Sequence, residues 1–474
     1  MAATTTQRKE DSSITTQVIV IGGGLSGLQA AVDLQKSGID CVVLEARGRV
    51  GGKTWSTIPK GCPGKVEYGA AWTNSENQPR VFGLARELGI DLIPQNIDGD
   101  VVVQGSGSFR YGDLPSIPEA DKESYKKVIS EVERLCHKVD LLTPAGSLPS
   151  YGPMSMDDLA VSLGATATVR KFVNLWTCAM LGVASTDISA IYFLHYCRSG
   201  GGLLQMRSDG KGGGQHLRFR TGTQSLSMGL WQKLKPGSVH LAAPVASIEQ
   251  NIDSGCRVTT RDGRAFSGKK VVCTVPTTLL TDISITPPLS AEKQWLISES
   301  HLGFYAKVHL IYEKPWWREH GLCGLSQGFD GPVSITRDTS SDADKLYALT
   351  CFVVGDSGRA WAREPSRDAR LQQVLNHIDK IFGHICPAPT GVFDQNWNEE
   401  EFSRGSPCPV ITARALEALS RDGWKPEGHL HFAGTEMSTV WKGYMEGALT
   451  SGASVAEEVL DSLRPGRDSV KQKL

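Results

Sequence analysis

Short apolar runs alternate with stretches of helical spacing along this chain. Residues 1–15 are polar and are expected to form a disordered tail. Val18 to Ile21 then form a continuous apolar run, as in a strand buried on both faces of a parallel sheet. Residues 28–37 carry a helical pattern, and residues 40–44 (DCVVL) read as a second strand. Strand, turn, helix and strand within ~30 residues make a βαβ unit. Further on, LAAPVASIEQN and CRVTTRDGRAFSGKKVVCTVP read as strands and hairpins, with an Asp-Gly turn in RDGRA. Residues 297–314 look strand-forming and stop at Pro315, Trp316 and Trp317. Residues 371–382 read as an amphipathic helix, HLHFAG as a short strand, and residues 447–463 as a closing helix before a polar tail at 464–474. No internal repeat is visible.

A chain of 474 residues exceeds one ordinary core and implies two domains, or one with large insertions. The composition is globular, at 40% hydrophobic and 21% charged residues. A net charge of −1 gives no long-range attraction for nucleic acid or a membrane surface. The eleven cysteines include no CxxC pair, so neither a metal site nor a disulfide framework is expected, and a reducing compartment fits. The N-terminus lacks the apolar core of a secretory signal. No apolar stretch reaches the roughly 18 residues of a membrane span. The ending Gln472-Lys473-Leu474 resembles a peroxisomal address only loosely; a polar tail explains it as well.

Candidate chemistry begins at the first strand. Gly22, Gly24 and Gly27 form GxGxxG between a strand and a helix. The first glycine permits the turn, the second lets a pyrophosphate approach, and the third lets helix and strand pack closely. The helix start offers free N–H groups to phosphate. Glu45, about 20 residues on, is placed for ribose hydroxyls. A second glycine pair, Gly51 and Gly52, follows among Arg47, Arg49 and Lys53, which can bring further N–H groups and positive charge to the same pyrophosphate. A plain NAD domain does not need this segment. No second dinucleotide motif is present, which argues against an NAD(P)H-fed reductase.

The segment EARGRVGGKTWS resembles the flavin amine oxidase family, where it marks FAD. Further segments are similar to that family in order. They are EYGAAWTNSENQPRVFGLARELGI, FVNLWTCAMLGV, ISAIYFLHYCRSGGG, GGQHLRFRTGTQSLS, VVCTVPTTLLTDISITPPLS and HFAGTEMSTVWKGYMEGALTSG. They span roughly residues 18–463, and soluble, fungal-type monoamine oxidase is the nearest subfamily. The resemblance implies an α/β, two-domain flavoprotein. Residues 16–88, 216–292 and 393–463 would form a discontinuous Rossmann-like FAD-binding domain. Residues 89–215 and 293–392 would form a mixed α+β substrate domain. It implies oxidation of a small-molecule amine with O2 as acceptor, and a homodimer is compatible with it.

The same resemblance places residues. Ala71, Trp72, Val245, Gly434, Glu436, Tyr444 and Met445 join the glycines, Glu45, Arg47 and Lys53 around FAD. Lys307 is expected to hold a water near the flavin and aid reoxidation; a solvent-reaching lysine at a strand edge is the plain alternative. Tyr444 matches one wall of the family's aromatic sandwich. Pro407 stands where the other aromatic is usual, so the pocket is expected to be wider and the substrate bulkier, with Phe402 or Trp176 as replacements. Leu175, Trp176, Gln215 and Ile335 fall where the family lines its cavity, or are simple core. Animal monoamine oxidases carry a flavin-bonding cysteine where this chain has Ser406, two residues before Cys408; non-covalent FAD is therefore expected. Those enzymes also end in a membrane helix, which this sequence lacks, so an intracellular soluble enzyme, cytoplasmic or peroxisomal, is expected. A free-base amine requires a pocket poor in carboxylates and rich in aromatic walls.

Arg198, Arg207, Lys211, Arg218 and Arg220 face one acid, Asp209, in a single loop. That is either a solvated loop, the preferred reading, or a basic entrance for an amine bearing distant carboxylates, as on a toxin-like substrate. Amino-acid oxidation would need an arginine over the substrate carboxylate, and Arg207 is the candidate. Polyamine oxidation, C–C oxidation on the same scaffold and a non-catalytic flavoprotein are further alternatives. A chromatin demethylase would need a long helical insertion that is absent.

Overall fold

The computed structural model describes residues 13–420 and 423–464. The Gln472-Lys473-Leu474 ending and all but Arg464 of the expected C-terminal tail lie outside the described residues.

The cofactor-type sheet is wholly parallel and draws on distant segments. Its strands run in the order Val239–His240, Cys41–Leu44, Val18–Ile21, Lys270–Cys273, Leu430–Phe432. Period-two geometry sends alternate residues of one strand to opposite faces. Val18 and Val20 join a cluster with the helices Leu25–Lys36, Gln224–Gln232 and Met445–Leu463. Ile19 and Ile21 join a cluster with Val245, Ile248, Val258 and Phe266 of a second sheet. Two-sided burial is why the run is apolar without alternation.

That second sheet has the order Ile14–Thr15, Ala265–Gly268, Gly255–Thr260, Val245–Asn251, Ser284–Thr286. The expected hairpins are there, and Gly263 turns RDGRA with φ +87°. The expected disordered tail is too long, however. Ile14 and Thr15 pair in parallel with Phe266 and Ser267, because two backbone groups on this edge find partners there.

A third large sheet has seven strands. Its order is Gly391–Asn396, Tyr305–Tyr312, Tyr347–Val354, Val333–Asp338, Leu322–Gln327, Asp100–Val103, Gly107–Arg110. The expected boundary before residue 393 falls inside its first strand, which is paired to Tyr305–Tyr312 throughout. The boundary at 88/89 is also crossed, since Leu92–Pro94 pairs with Leu217–Phe219. Helices Glu119–Cys136, Met156–Ser162, Ala167–Leu181, Ala190–Ser199 and Leu203–Arg207 pack around Phe172, Trp176, Phe193 and Tyr196. The strand expected over 297–314 begins as a helix, Ala291–Ser298, because Ser290 caps it by accepting from Lys293 N–H. Among the described residues, no helix is long and apolar enough to cross a membrane.

Candidate active site

The glycine turns open on a cavity of about 1290 Å³, its mouth included. Gly22, Gly24, Glu45, Arg47, Gly51, Gly52, Lys53, Val245, Gly434, Glu436, Tyr444 and Met445 all line it. Gly22 has φ +108°, and a Cβ there would lie 2.3 Å from Thr274 Oγ1. Gly27 does not line the cavity. A Cβ on it would sit 2.0 Å from the Gly22 carbonyl oxygen, so its role is close packing of helix on strand. Gly24 is different again, since nothing lies within 4 Å of where its Cβ would be. The helix Leu25–Lys36 starts there with no side-chain cap, and the helix Met445–Leu463 starts at Tyr444 without one. Two helix N-termini, each worth about half a positive charge, therefore open on one cavity, as a pyrophosphate requires. Gly51 N–H donates to Gly23 O at 2.8 Å, which fuses the two glycine turns into one cradle. Glu45 is buried; its carboxylate accepts from Gly23 N–H at 2.7 Å and Arg47 N–H at 2.8 Å. Each oxygen keeps a lone pair for a ribose hydroxyl. These features fit FAD.

The three basic residues beside the cradle each have protein partners, although Arg47 and Lys53 also line the cavity. Arg47 pairs with Glu400 at 3.1 Å and donates to Ser403 Oγ at 2.9 Å. Arg49 stacks 4.6 Å from the Trp55 ring and donates to Gly52 O. Lys53 Nζ donates to Pro407 O at 2.9 Å. Burial lowers the pKa of Lys53.

A second cavity, also about 1290 Å³, adjoins the first. Lys53, Ala70, Pro407, Gly443, Tyr444 and Met445 form the shared wall. Leu175, Trp176, Arg207, Gln215, Lys307 and Ile335 line the second cavity. Ala71 and Trp72, assigned to the cofactor, face this cavity rather than the first; Ala70 is the residue of that turn that reaches both. Seven aromatic side chains stand on the walls, and among the described residues no Asp or Glu lines them. Tyr196, Met206, Tyr305, Gln327, Arg337, Phe352 and Trp397 also line it, and sequence reading did not find them. They come from separate strands and helices, and no local motif marks them. Period-two alternation on Tyr305–Tyr312 could have paired Tyr305 with Lys307 on one face.

Lys307 is 4% exposed, so it does not reach solvent at a strand edge. Its Nζ donates to the carbonyls of Gly69 and Glu67. It lies 5.6 Å from the Trp72 ring centre and 5.4 Å from that of Phe352. Burial lowers its pKa to about 8, against the opposing charge of Glu67. Glu67 is itself raised by burial, and its carboxylate accepts from Thr223 N–H and Oγ1–H.

Tyr444 touches both cavities and packs edge-on against Trp441 at 4.9 Å. Gln215 Nε2 donates to Met206 O at 2.9 Å and lies 3.4 Å from Tyr444 Oη. Phe402 does not replace the aromatic absent at Pro407. It lines the first cavity, between the guanidiniums of Arg47 and Arg261 at 5.6 and 5.5 Å. Trp176 lines the second, beneath Arg207 at 4.7 Å. Ser406 also faces the second cavity, whereas Cys408 lines neither. Cys408 is fully buried, and burial pushes its thiol up to about 12.

The basic loop is a solvated face only in part, at the exposed Lys211 and Arg220. Arg218 is buried and donates to Ser340 O at 2.6 Å. Arg220 pairs with Asp344 and Asp91, and Lys211 with Glu76. Asp209 pairs with Arg337, from another strand. Arg207 alone of the five lines the cavity.

Comparison with known proteins agrees with this geometry. The family model described as flavin containing amine oxidoreductase matches residues 25–460. The Dictyostelium discoideum protein named "Probable flavin-containing monoamine oxidase A" is 31% identical, over 94% of this chain and 97% of its own length. Human amine oxidase [flavin-containing] B is 29% identical, over 94% of this chain and 86% of its own. A wild-type putrescine oxidase structure bound to putrescine superposes with a TM-score of 0.87 at 26% identity, covering 95% of this chain and all of that one. Cyclohexylamine oxidase from Brevibacterium oxydans IH-35A shares the fold, with a TM-score of 0.88 at 24% identity over 94% and 99% of the two chains.

Proposed function

The chain belongs to the flavin containing amine oxidoreductase family, and from that premise we propose how its two cavities divide an amine oxidation. The protein is an FAD-dependent amine oxidase acting on small-molecule amines with O2. The observation that carries our reading is the shared wall. A dinucleotide cradle and an aromatic, carboxylate-free cavity meet at Tyr444, Gly443, Met445, Pro407 and Lys53. The parallel sheet and its partner sheet hold the first cavity, and the seven-stranded sheet with the helices closes the second.

Gly22, Gly24, Glu45 and the two helix starts would hold the dinucleotide part of FAD, without a covalent link to the protein. Ser406 takes the place of a bonding cysteine, and Cys408 is buried behind the loop. The chemistry that FAD would supply when bound is acceptance of a hydride from the amine α-carbon and its return to O2 as H2O2; water then hydrolyses the imine to a carbonyl compound and releases ammonia. The protein's part is to present the amine as a free base, orient it and exclude water. A carboxylate-free wall leaves the ammonium without a stabilising partner, so the amine gives up its proton more readily. Tyr444 supplies one flat wall. The amide oxygens of Gln215 and Gln327 are buried without partners and line the cavity, so they can accept from amine N–H or other donors on the substrate. Lys307 holds a proton, or a water, at the inner end, and its lowered pKa lets that proton leave near neutral pH. Pro407 in place of an aromatic widens the site for a bulky primary amine.

The test is peroxide release across a panel of amines, with absorbance spectra before and after acid precipitation and anaerobic titration of the flavin. Peroxide with a primary amine and yellow colour in the acid supernatant are expected. A flavin that no amine bleaches would overturn the reading.

A further inference from the structure

The second cavity carries an imbalance of charge. Four cationic side chains, Lys53, Arg207, Lys307 and Arg337, line it with no acid among the lining residues. Three of them have partners in the fold. Lys53 is held by Pro407 O, Lys307 by the carbonyls of Glu67 and Gly69, and Arg337 by Asp209 from behind the wall. Arg207 differs. Among the described residues, no carboxylate lies within salt-bridge distance of it and no acceptor takes a hydrogen bond from it. Its guanidinium carbon lies over the Trp176 ring at 4.7 Å from the centroid, a cation–π contact that helps to orient it. Trp176 is 1% exposed and lines the cavity, and its indole Nε1–H is buried without an acceptor. One corner of the cavity thus holds an unpaired guanidinium and an unpaired buried N–H. Buried donors without acceptors are rare, and a ligand acceptor resolves both.

We propose that the substrate is an amine that also carries a carboxylate, and that Arg207 with the Trp176 N–H holds that carboxylate; the proposal depends on the second cavity being the amine site. The carboxylate is remote from the reacting carbon. Arg207 is partly exposed, on a short helix whose Leu204 is 50% exposed, whereas Lys307 at the inner end is 4% exposed. We therefore assign the anchor to the more exposed part of the wall and the reacting end to the more buried part. The same charges disfavour a diamine, whose second ammonium would meet arginines and no acid.

The experiment compares matched chain lengths of ω-amino carboxylates, alkylamines and diamines on the holoenzyme at low ionic strength. The best ω-amino carboxylate should exceed its alkylamine in kcat/KM by about 10- to 100-fold, mostly through KM, as expected for a charge-assisted bond. Added salt should shrink that ratio. Arg207→Gln should collapse it, Arg207→Lys should keep part of it, and Trp176→Phe should reduce it while retaining the ring. Equal turnover of the matched pair, a preference for diamines, or a ratio untouched by Arg207→Gln would overturn the proposal. Short α-amino acids as the best substrates would overturn its remote placement. Should Arg207→Gln lose its flavin, the wild-type ratio and its salt dependence still decide. Absence of any amine-dependent flavin bleaching would instead overturn the amine-oxidase reading, a separate result.

Discussion

The two cavities are equal in size and opposite in construction. The cofactor cavity is made largely of backbone: glycine turns, uncapped helix starts and one buried acid that holds amide N–H groups. The amine cavity is made of side chains brought together from at least six separate segments. The first should fail when a Cβ is added and tolerate changes elsewhere. The second should accept changes of shape and fail, or change substrate, when one functional group is removed.

The sharpest way to break this contrast is Gly27→Val. Its Cβ would strike the Gly22 carbonyl oxygen, which is backbone and cannot rotate away. Loss of bound flavin and of all amine-dependent peroxide is expected, read by absorbance and oxidase assay. Next in size is Lys307→Met. It should lower kcat/KM for O2 by about 100-fold or more, the usual scale for a lost proton-handling group. In the native enzyme this profile should bend near pH 8 as the lysine loses its proton, and the bend should vanish in the variant. Stability should follow the same titration. The unfolded lysine keeps its proton to about pH 10.4 while the folded one loses it near 8, so stability rises with pH across that window. Denaturant unfolding of Lys307→Met should lack that rise.

A smaller effect sharpens the comparison at the shared wall. Tyr444→Leu should cost about tenfold in amine kcat/KM, roughly the worth of a specific aromatic contact, and Tyr444→Phe less. The smallest belongs to Cys408→Ala. Acid should release all flavin from both native and variant protein; flavin retained in the native pellet and released from the variant would show a bond to Cys408.

This contrast explains what could be read from sequence. Gly22, Gly24, Gly27 and Glu45 are legible because one strand-turn-helix unit sets all their positions, and each has a backbone reason to be that residue. Lys53 shows where such reading stops. Its place beside a glycine pair pointed to phosphate, yet its ammonium is taken by Pro407 O, more than 350 residues away in sequence. Arg337 carried no signal at all, because its pairing with Asp209 exists only after two distant segments meet. Phe402 was placed in the amine pocket by proximity to Pro407, and two arginines hold it on the other side. The tail boundary failed for a similar reason, since Ile14–Thr15 is a strand only because Phe266 and Ser267 offer an edge.

The parallel cofactor sheet has a consequence for how the enzyme is made. Strand Val18–Ile21 neighbours Lys270–Cys273, which neighbours Leu430–Phe432, and the second phosphate-facing helix starts only at Met445. At a synthesis rate of about 5–20 residues per second, the last strand leaves the ribosome roughly 20–80 s after the first. Throughout that interval the cofactor sheet lacks its edge strand, Leu430–Phe432, and the apolar faces that strand and the closing helix cover stay open. Flavin can be captured only at the end of translation. Chaperone supply and flavin supply should therefore limit yield together, and variants in the closing helix should reduce the amount of holoenzyme before they alter its kinetics.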